Sequence, residues 1–154
     1  MASNRAGFEK RLKPVLPRVG RMTISLQFCN VTVNDVDESI AFYRDAIGLE
    51  VLNNVESGGF RWVTLGNDSQ PGSKIVLSEP HAGRSKADGD ALQELVTKGA
   101  MPPLVFSSDE VDAAFERARA TGAEVLQEPI DQGWGPRDCA FRDPSGNMVR
   151  ISQA

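Results

Sequence analysis

Few side chains in this 154-residue sequence are suited to chemistry beyond packing. General acid–base work needs a group whose pKa can be tuned, such as Glu or His. Glu79, His81, Asp138 and Cys139 are the candidates, and no two of them make a compelling pair. His81 is the only histidine, directly after Pro80, and a lone loop histidine reads as a solvated side chain. Glu79 and His81 together give too few ligands for zinc, manganese or iron, which take about three protein groups. Anion recognition is better served. Arg150 can grip a carboxylate or phosphate through two parallel hydrogen bonds, or it can pair with a nearby Asp or Glu. Trp134 and Arg137 stand in the Gly-rich GWGPRD loop, where they can stack on and pair with a planar anion or simply pack the loop.

The elements that must position these groups are read from periodicity. Asp143-Pro144-Ser145-Gly146 fits a type I turn, with Asp first, Pro second and Gly fourth. The run Asn147–Ile151 then reads as a strand, with Met148 and Arg150 on one face and Val149 and Ile151 on the other. Upstream, alternation from Ile24 to Val33 predicts a strand. Val36, Ile40, Tyr43 and Ile47 fall on one face of a helix that Asp35 or Asp37 caps and Gly48 stops. Glu50–Val55, Phe60–Leu65 and Lys74–Ser78 read as strands. Of the aromatics Phe60 and Trp62, one is a candidate for the ligand-facing side. Residues 79–103 break the rhythm around a short helical pattern, Ala91–Val96. Leu104–Phe106 is the next strand, and Ser107-Ser108-Asp109 leads into a helix with Val111, Ala114, Phe115 and Ala118 on its apolar face. Strands Glu124–Gln127, Arg137–Phe141 and Asn147–Ile151 complete the chain.

The composition is that of one domain, with 40% hydrophobic and 25% charged residues and a net charge of −4. No apolar run reaches the roughly 18 residues of a membrane helix. Cys29 and Cys139 sit in strand-like runs and read as buried free thiols in a reducing compartment, hence a cytoplasmic protein, with a disulfide or a reactive thiol as the alternative. Residues 1–21 hold six basic residues against Glu9, a net +5, so residues 22–154 carry −9. This basic stretch reads as a solvated tail before a start at Met22, with a transit peptide or an anion-binding arm as alternatives. The acidic body argues against nucleic acid as a partner.

The two halves repeat. VDESIAFYRDAIGLEVL from Val36 resembles VDAAFERARATGAEVL from Val111, at an offset of 75 that becomes 74 by Gly122. Each copy reads strand–helix–three strands. The expected organisation is a tail (1–21), a first module (22–80), a connection (81–102) and a second module (103–154). The fold class is α+β, with two βαβββ modules pairing into a curved mixed sheet around a cleft. Such a cleft suits a small ligand.

The repeat, SIAFYRDAIGLEV and the terminal FRDPSGNMVRI resemble the vicinal oxygen chelate superfamily, which includes glyoxalase I, bleomycin- and fosfomycin-resistance proteins and extradiol dioxygenases. The likeness covers about residues 22–154. It implies a homodimer and, in metal-dependent members, a divalent metal held by His on each module's first strand and Glu on the last. Carried over residue by residue, those positions fall on Phe28, Pro103 and Arg150. Phe and Pro offer no ligating atom, and a guanidinium is a permanent cation. The expectation is therefore a metal-free cleft with no cofactor, binding a small organic molecule, an anion included. Its expected lining is Phe28, Asn30, Thr32, Trp62, Val105, Trp134, Arg137, Met148 and Arg150, with Ser107 beside Val105. A membrane role is not expected. The alternative is a metal-dependent lyase, isomerase or dioxygenase with non-standard ligands.

Overall fold

Asp35 starts the first helix as its spacing predicts: the side chain accepts the backbone N–H of Glu38 at 2.9 Å, covering a donor the helix itself leaves unpaired. The structure is a computed structural model that describes residues 24–68 and 73–154, so the basic stretch 1–21 lies outside the described residues. In chain order the elements are β1 (Cys29–Thr32), α1 (Val36–Asp45), β2 (Glu50–Ser57), β3 (Phe60–Gly66), β4 (Ile75–Ser78) and α2 (Lys86–Thr97). They continue with β5 (Leu104–Ser108), α3 (Val111–Ala120), β6 (Glu124–Asp131), β7 (Arg137–Arg142) and β8 (Met148–Gln153).

Each half is one βαβββ module. The strand orders are β1-β4-β3-β2 and β5-β8-β7-β6, so the first strand of each module pairs parallel with the last. The expected curved sheet is thus two four-stranded sheets. The helices share one core between them. Val31, Val63, Leu65 and Leu77 from the first sheet, Cys139, Phe141, Val149 and Ile151 from the second, and Tyr43, Val111, Phe115 and Ala118 from the helices form a single buried cluster.

Several boundaries move, for physical reasons. The first strand is only four residues long because its one partner, β4, spans only Ile75–Ser78; Ile24 and Leu26 lie exposed ahead of it. The helix expected at Ala91–Val96 begins five residues earlier. Ser85 caps it by accepting the N–H of Asp88 at 3.1 Å while donating to the Asp88 carboxylate at 2.8 Å. Among the described residues, no helix is long and apolar enough to cross a membrane. The two thiols are free, but only Cys139 is buried; Cys29 is exposed at the start of the edge strand β1, against the expectation for both.

The turn after β7 joins the modules. Asp143 is buried, and its Oδ1 accepts the N–H groups of Ser145, Gly146 and Asn147 at 2.8–3.0 Å. Its Oδ2 accepts from Asn147 Nδ2 (2.9 Å) and from Tyr43 Oη (2.8 Å) on α1 of the other module. Burial first, then the adjacent carboxylate, pushes the Tyr43 phenol well above its ordinary pKa. Asn147 Nδ2 also donates to the Thr32 carbonyl, and Asn34 N–H to Ser145 Oγ.

Candidate functional site

β1 and β5 are edge strands of their separate sheets, and residues of both line a cavity of about 790 Å³. Its walls are Phe28, Asn30 and Thr32 on one side and Val105 and Ser107 on the other. Met101–Pro103, Ile47, Leu49, Lys74 and Arg117 also line it. Phe28 is 40% and Val105 62% exposed, a high degree for residues of that kind, and both face this space. The volume falls in the ordinary range for small-molecule sites, about 300–1,000 Å³. Among the described lining residues there is no Asp, Glu or His.

Of the residues expected to line a ligand site, Phe28, Asn30, Thr32 and Val105 do border this cavity. Trp62, Trp134, Arg137, Met148 and Arg150 stand outside its lining. Arg150 is the neighbour of Val105 across the β5–β8 pairing, one strand back from the cavity. There its Nη1 donates to Asp138 Oδ2 at 2.6 Å. Asp138 is only 3% exposed, and its other oxygen accepts from Gln127 and Gln132 at 2.8 and 2.7 Å. Burial pushes the Asp138 carboxyl up, but the two amides and then Arg150 outweigh it and hold the group below the usual range. Arg150 thus makes the ion pair that was one of the two possibilities open from sequence, and keeps 28% of its side-chain surface exposed.

Arg137 is likewise engaged. It makes two hydrogen bonds to Asp112 at the start of α3, at 2.7 and 2.8 Å. The first module holds the same pair: Arg61 to Asp37, at 2.8 Å, at the start of α1. A pair that both copies use to tie strand to helix is part of the scaffold. Trp134 is 77% exposed on the β6–β7 loop. Trp62 lies half-buried opposite Ser78 and Val55, and Met148 is half-buried opposite Arg142.

The acid–base candidates are also accounted for. His81 meets Asp90 at 2.8 Å and packs so closely on Gly89 that a side chain there would collide with its ring. Burial raises the Cys139 thiol to about 11, far from a useful thiolate. Glu79 follows β4 and does not line the cavity.

The repeat adds a position that spacing alone did not single out. Arg150 pairs with Val105 and Ala140, and Val76 pairs with Asn30 and Thr64, so Val76 is the first module's counterpart of Arg150. The positions to which the family resemblance carries metal ligands, with Val76 added by the repeat, thus hold Phe28, Val76, Pro103 and Arg150. A divalent cation does not fit that donor set, and no cluster of three His, Cys, Asp or Glu suited to a metal exists among the described residues. Arg117 on α3 is the residue sequence reasoning missed. Its counterpart in the first copy is Phe42, so the repeat itself marked an arginine where the sister module has an aromatic.

Comparison with known proteins agrees with this geometry. The sequence profile of the Glyoxalase/Bleomycin resistance protein/Dioxygenase superfamily matches residues 25–151. A probable lactoylglutathione lyase of Vibrio cholerae is 26% identical over 126 residues, covering 79% of this chain and 84% of that protein. The crystal structure of UcmS2 superposes with a TM-score of 0.77 at 29% identity, covering 85% of this chain and 98% of that one. TnmS3, an antibiotic binding protein from Streptomyces sp. CB03234, superposes with a TM-score of 0.67 at 25% identity, covering 86% and 98%.

Proposed function

Since this chain belongs to the Glyoxalase/Bleomycin resistance protein/Dioxygenase superfamily, we propose that it uses the fold to bind a small organic molecule between its modules, without a metal. The observation that carries this reading is the composition of the cavity wall. It is largely apolar, with a few hydroxyl and amide groups, and its described residues include neither carboxylate nor imidazole. A pocket of that kind can hold a ligand by shape and apolar burial, but it lacks the groups that usually ligate a metal or move a proton. The likeness to an antibiotic binding protein supports the same direction.

The exposed apolar surface of Phe28 and Val105 is what a ligand would cover, at roughly 25 cal/mol per Å² removed from water. A homodimer goes with this reading, supported by Val51, Leu52 and Val55, which lie exposed along the outer strand β2. Sedimentation of a monomer at micromolar concentration would count against that assembly.

A second reading, a metal-dependent lyase, draws on the Vibrio cholerae relative. Elemental analysis of protein purified without chelator, with melting scans in Ni, Zn, Mn and Fe, separates the two. The binding reading expects no stoichiometric metal and no metal-dependent rise in Tm; finding stoichiometric metal or such a rise overturns the metal-free part. A Tm-shift screen of antibiotics against wild type and Val105→Trp tests the pocket. Position 105 is 62% exposed, so the larger ring fits the fold while filling the cavity. Hits that shift wild type and lose the shift in the variant are expected; hits indifferent to the substitution sink the proposed location.

A further inference from the structure

Residues 22–154 hold eleven basic residues against twenty acidic ones. With acids in such excess, a base is expected to find a carboxylate, and eight of the eleven do so within 4 Å. Lys74, Arg84 and Arg117 have no ion pair among the described residues. Arg84 gives its guanidinium to the carbonyls of Pro80 and Ala82. The other two line the cavity between the modules, whose described wall contains no Asp or Glu. Acidic residues are therefore missing from the described wall of a cavity that two unmatched cations line, on a stretch of chain with a net charge of −9.

Resting on the small-molecule reading above, we infer that the cavity takes an amphipathic organic anion, a carboxylate, sulfonate or phosphate on an apolar body, with Arg117 and Lys74 recognising the charge. Arg117 is held ready. Its Nη2 donates to the carbonyl of Ile47 at 3.2 Å, and the guanidinium lies over Gly48, where an added Cβ would sit 3.4 Å from that nitrogen. One of its five N–H donors is used there, and the rest have no partner among the described residues. Phe28, Ile47, Leu104 and Phe106 supply apolar wall for the body of the ligand. Like charge in a concave, low-dielectric recess focuses potential and raises the local concentration of the opposite ion. Arg150 does not share this role, because Asp138 already matches its charge.

The test uses the full chain and two dyes of one scaffold, anionic 8-anilinonaphthalene-1-sulfonate and uncharged N-phenyl-1-naphthylamine. We expect one sulfonate dye per chain, bound at least about tenfold more tightly than the neutral dye. Added salt should weaken the first and not the second. Arg117→Ala should lower sulfonate affinity by roughly tenfold and leave the neutral dye unchanged, and Lys74→Ala should act in the same direction. Occupancy should slow alkylation of Cys29, which lies in the cavity wall, whereas Cys139 is buried. Should Arg117→Ala fail to fold for want of its bond to Ile47, Lys74→Ala and the salt series decide. Equal affinities for the two dyes, or an Arg117→Ala loss shared equally by both, would overturn the anion assignment and leave the small-molecule reading intact. Failure of both dyes to bind or to protect Cys29 would overturn both.

Discussion

Arg150 and Arg117 are chemically identical side chains with opposite consequences, and the difference is made by one neighbour. Asp138 lies beside Arg150 at 2.6 Å, 3% exposed and also bonded to Gln127 and Gln132. Removing one partner from such a pair leaves an uncompensated charge, which costs about 3–5 kcal/mol in a fully buried site. Arg150 keeps 28% of its side-chain surface, so solvent offsets part of that. Asp138→Asn should destabilise by about 2 kcal/mol, measured as a lower urea midpoint at unchanged m-value. The pH dependence has a definite sign. The folded carboxyl titrates below its ordinary value, so its contribution is full above the unfolded pKa of about 3.9 and is lost as pH falls through the depressed folded value. The stability gap between wild type and Asp138→Asn should therefore persist at neutral pH and close in strong acid. A gap that instead widened on acidification would contradict the assignment.

Among the elements, the turn at Asp143–Asn147 shows what spacing can and cannot reveal. Its Asp-Pro-Ser-Gly order predicts the bend, and Gly146 N–H does return to the Asp143 carbonyl at 3.2 Å. That Gly146 also passes against the end of α2 is a tertiary fact with no local signature. Its φ is +117°, and a Cβ there would collide with the carbonyls of Val96 and Thr97. Gly146→Ala should cost more than about 2 kcal/mol, while Gly133→Ala, with nothing within 4 Å, should be close to neutral in the same urea titration. The helix caps divide similarly. Asp35 marks the start of α1 in the sequence, and the Ser85-x-x-Asp88 spacing marks the start of α2, though Gly89 in the following turn obscures it. Ser85→Ala should lower stability by about 1 kcal/mol, read by the same method. The short β1 was not legible, because strand length depends on what lies alongside.

At the scale of the molecule, the repeat carried most of the fold. Periodicity and the duplicated helix segment sufficed for two βαβββ modules, which the strand orders match. Side-chain roles were far less legible, since the choice between ligand contact and internal pairing depends on partners distant in sequence. Arg137 with Asp112 and Arg150 with Asp138 are such cases. The modules themselves are interlocked: Tyr43 to Asp143, Asn147 to Thr32, Asn34 to Ser145 and Arg117 to Ile47 all cross between them around one core. Unfolding should accordingly be a single transition. Fluorescence of Trp62 in a Trp134→Phe background and burial of Cys139 report on the two halves separately. Their urea midpoints should coincide, and Tyr43→Phe should shift both together by about 1–2 kcal/mol.

The counterparts of Arg150 and Asp138 in the first module are Val76 and Trp62. The backbone thus has an approximate twofold that the chemistry does not obey: one sheet carries an ion pair where the other carries an aliphatic and an indole. The scaffold is close to a palindrome in shape but has a head and a tail in its interactions.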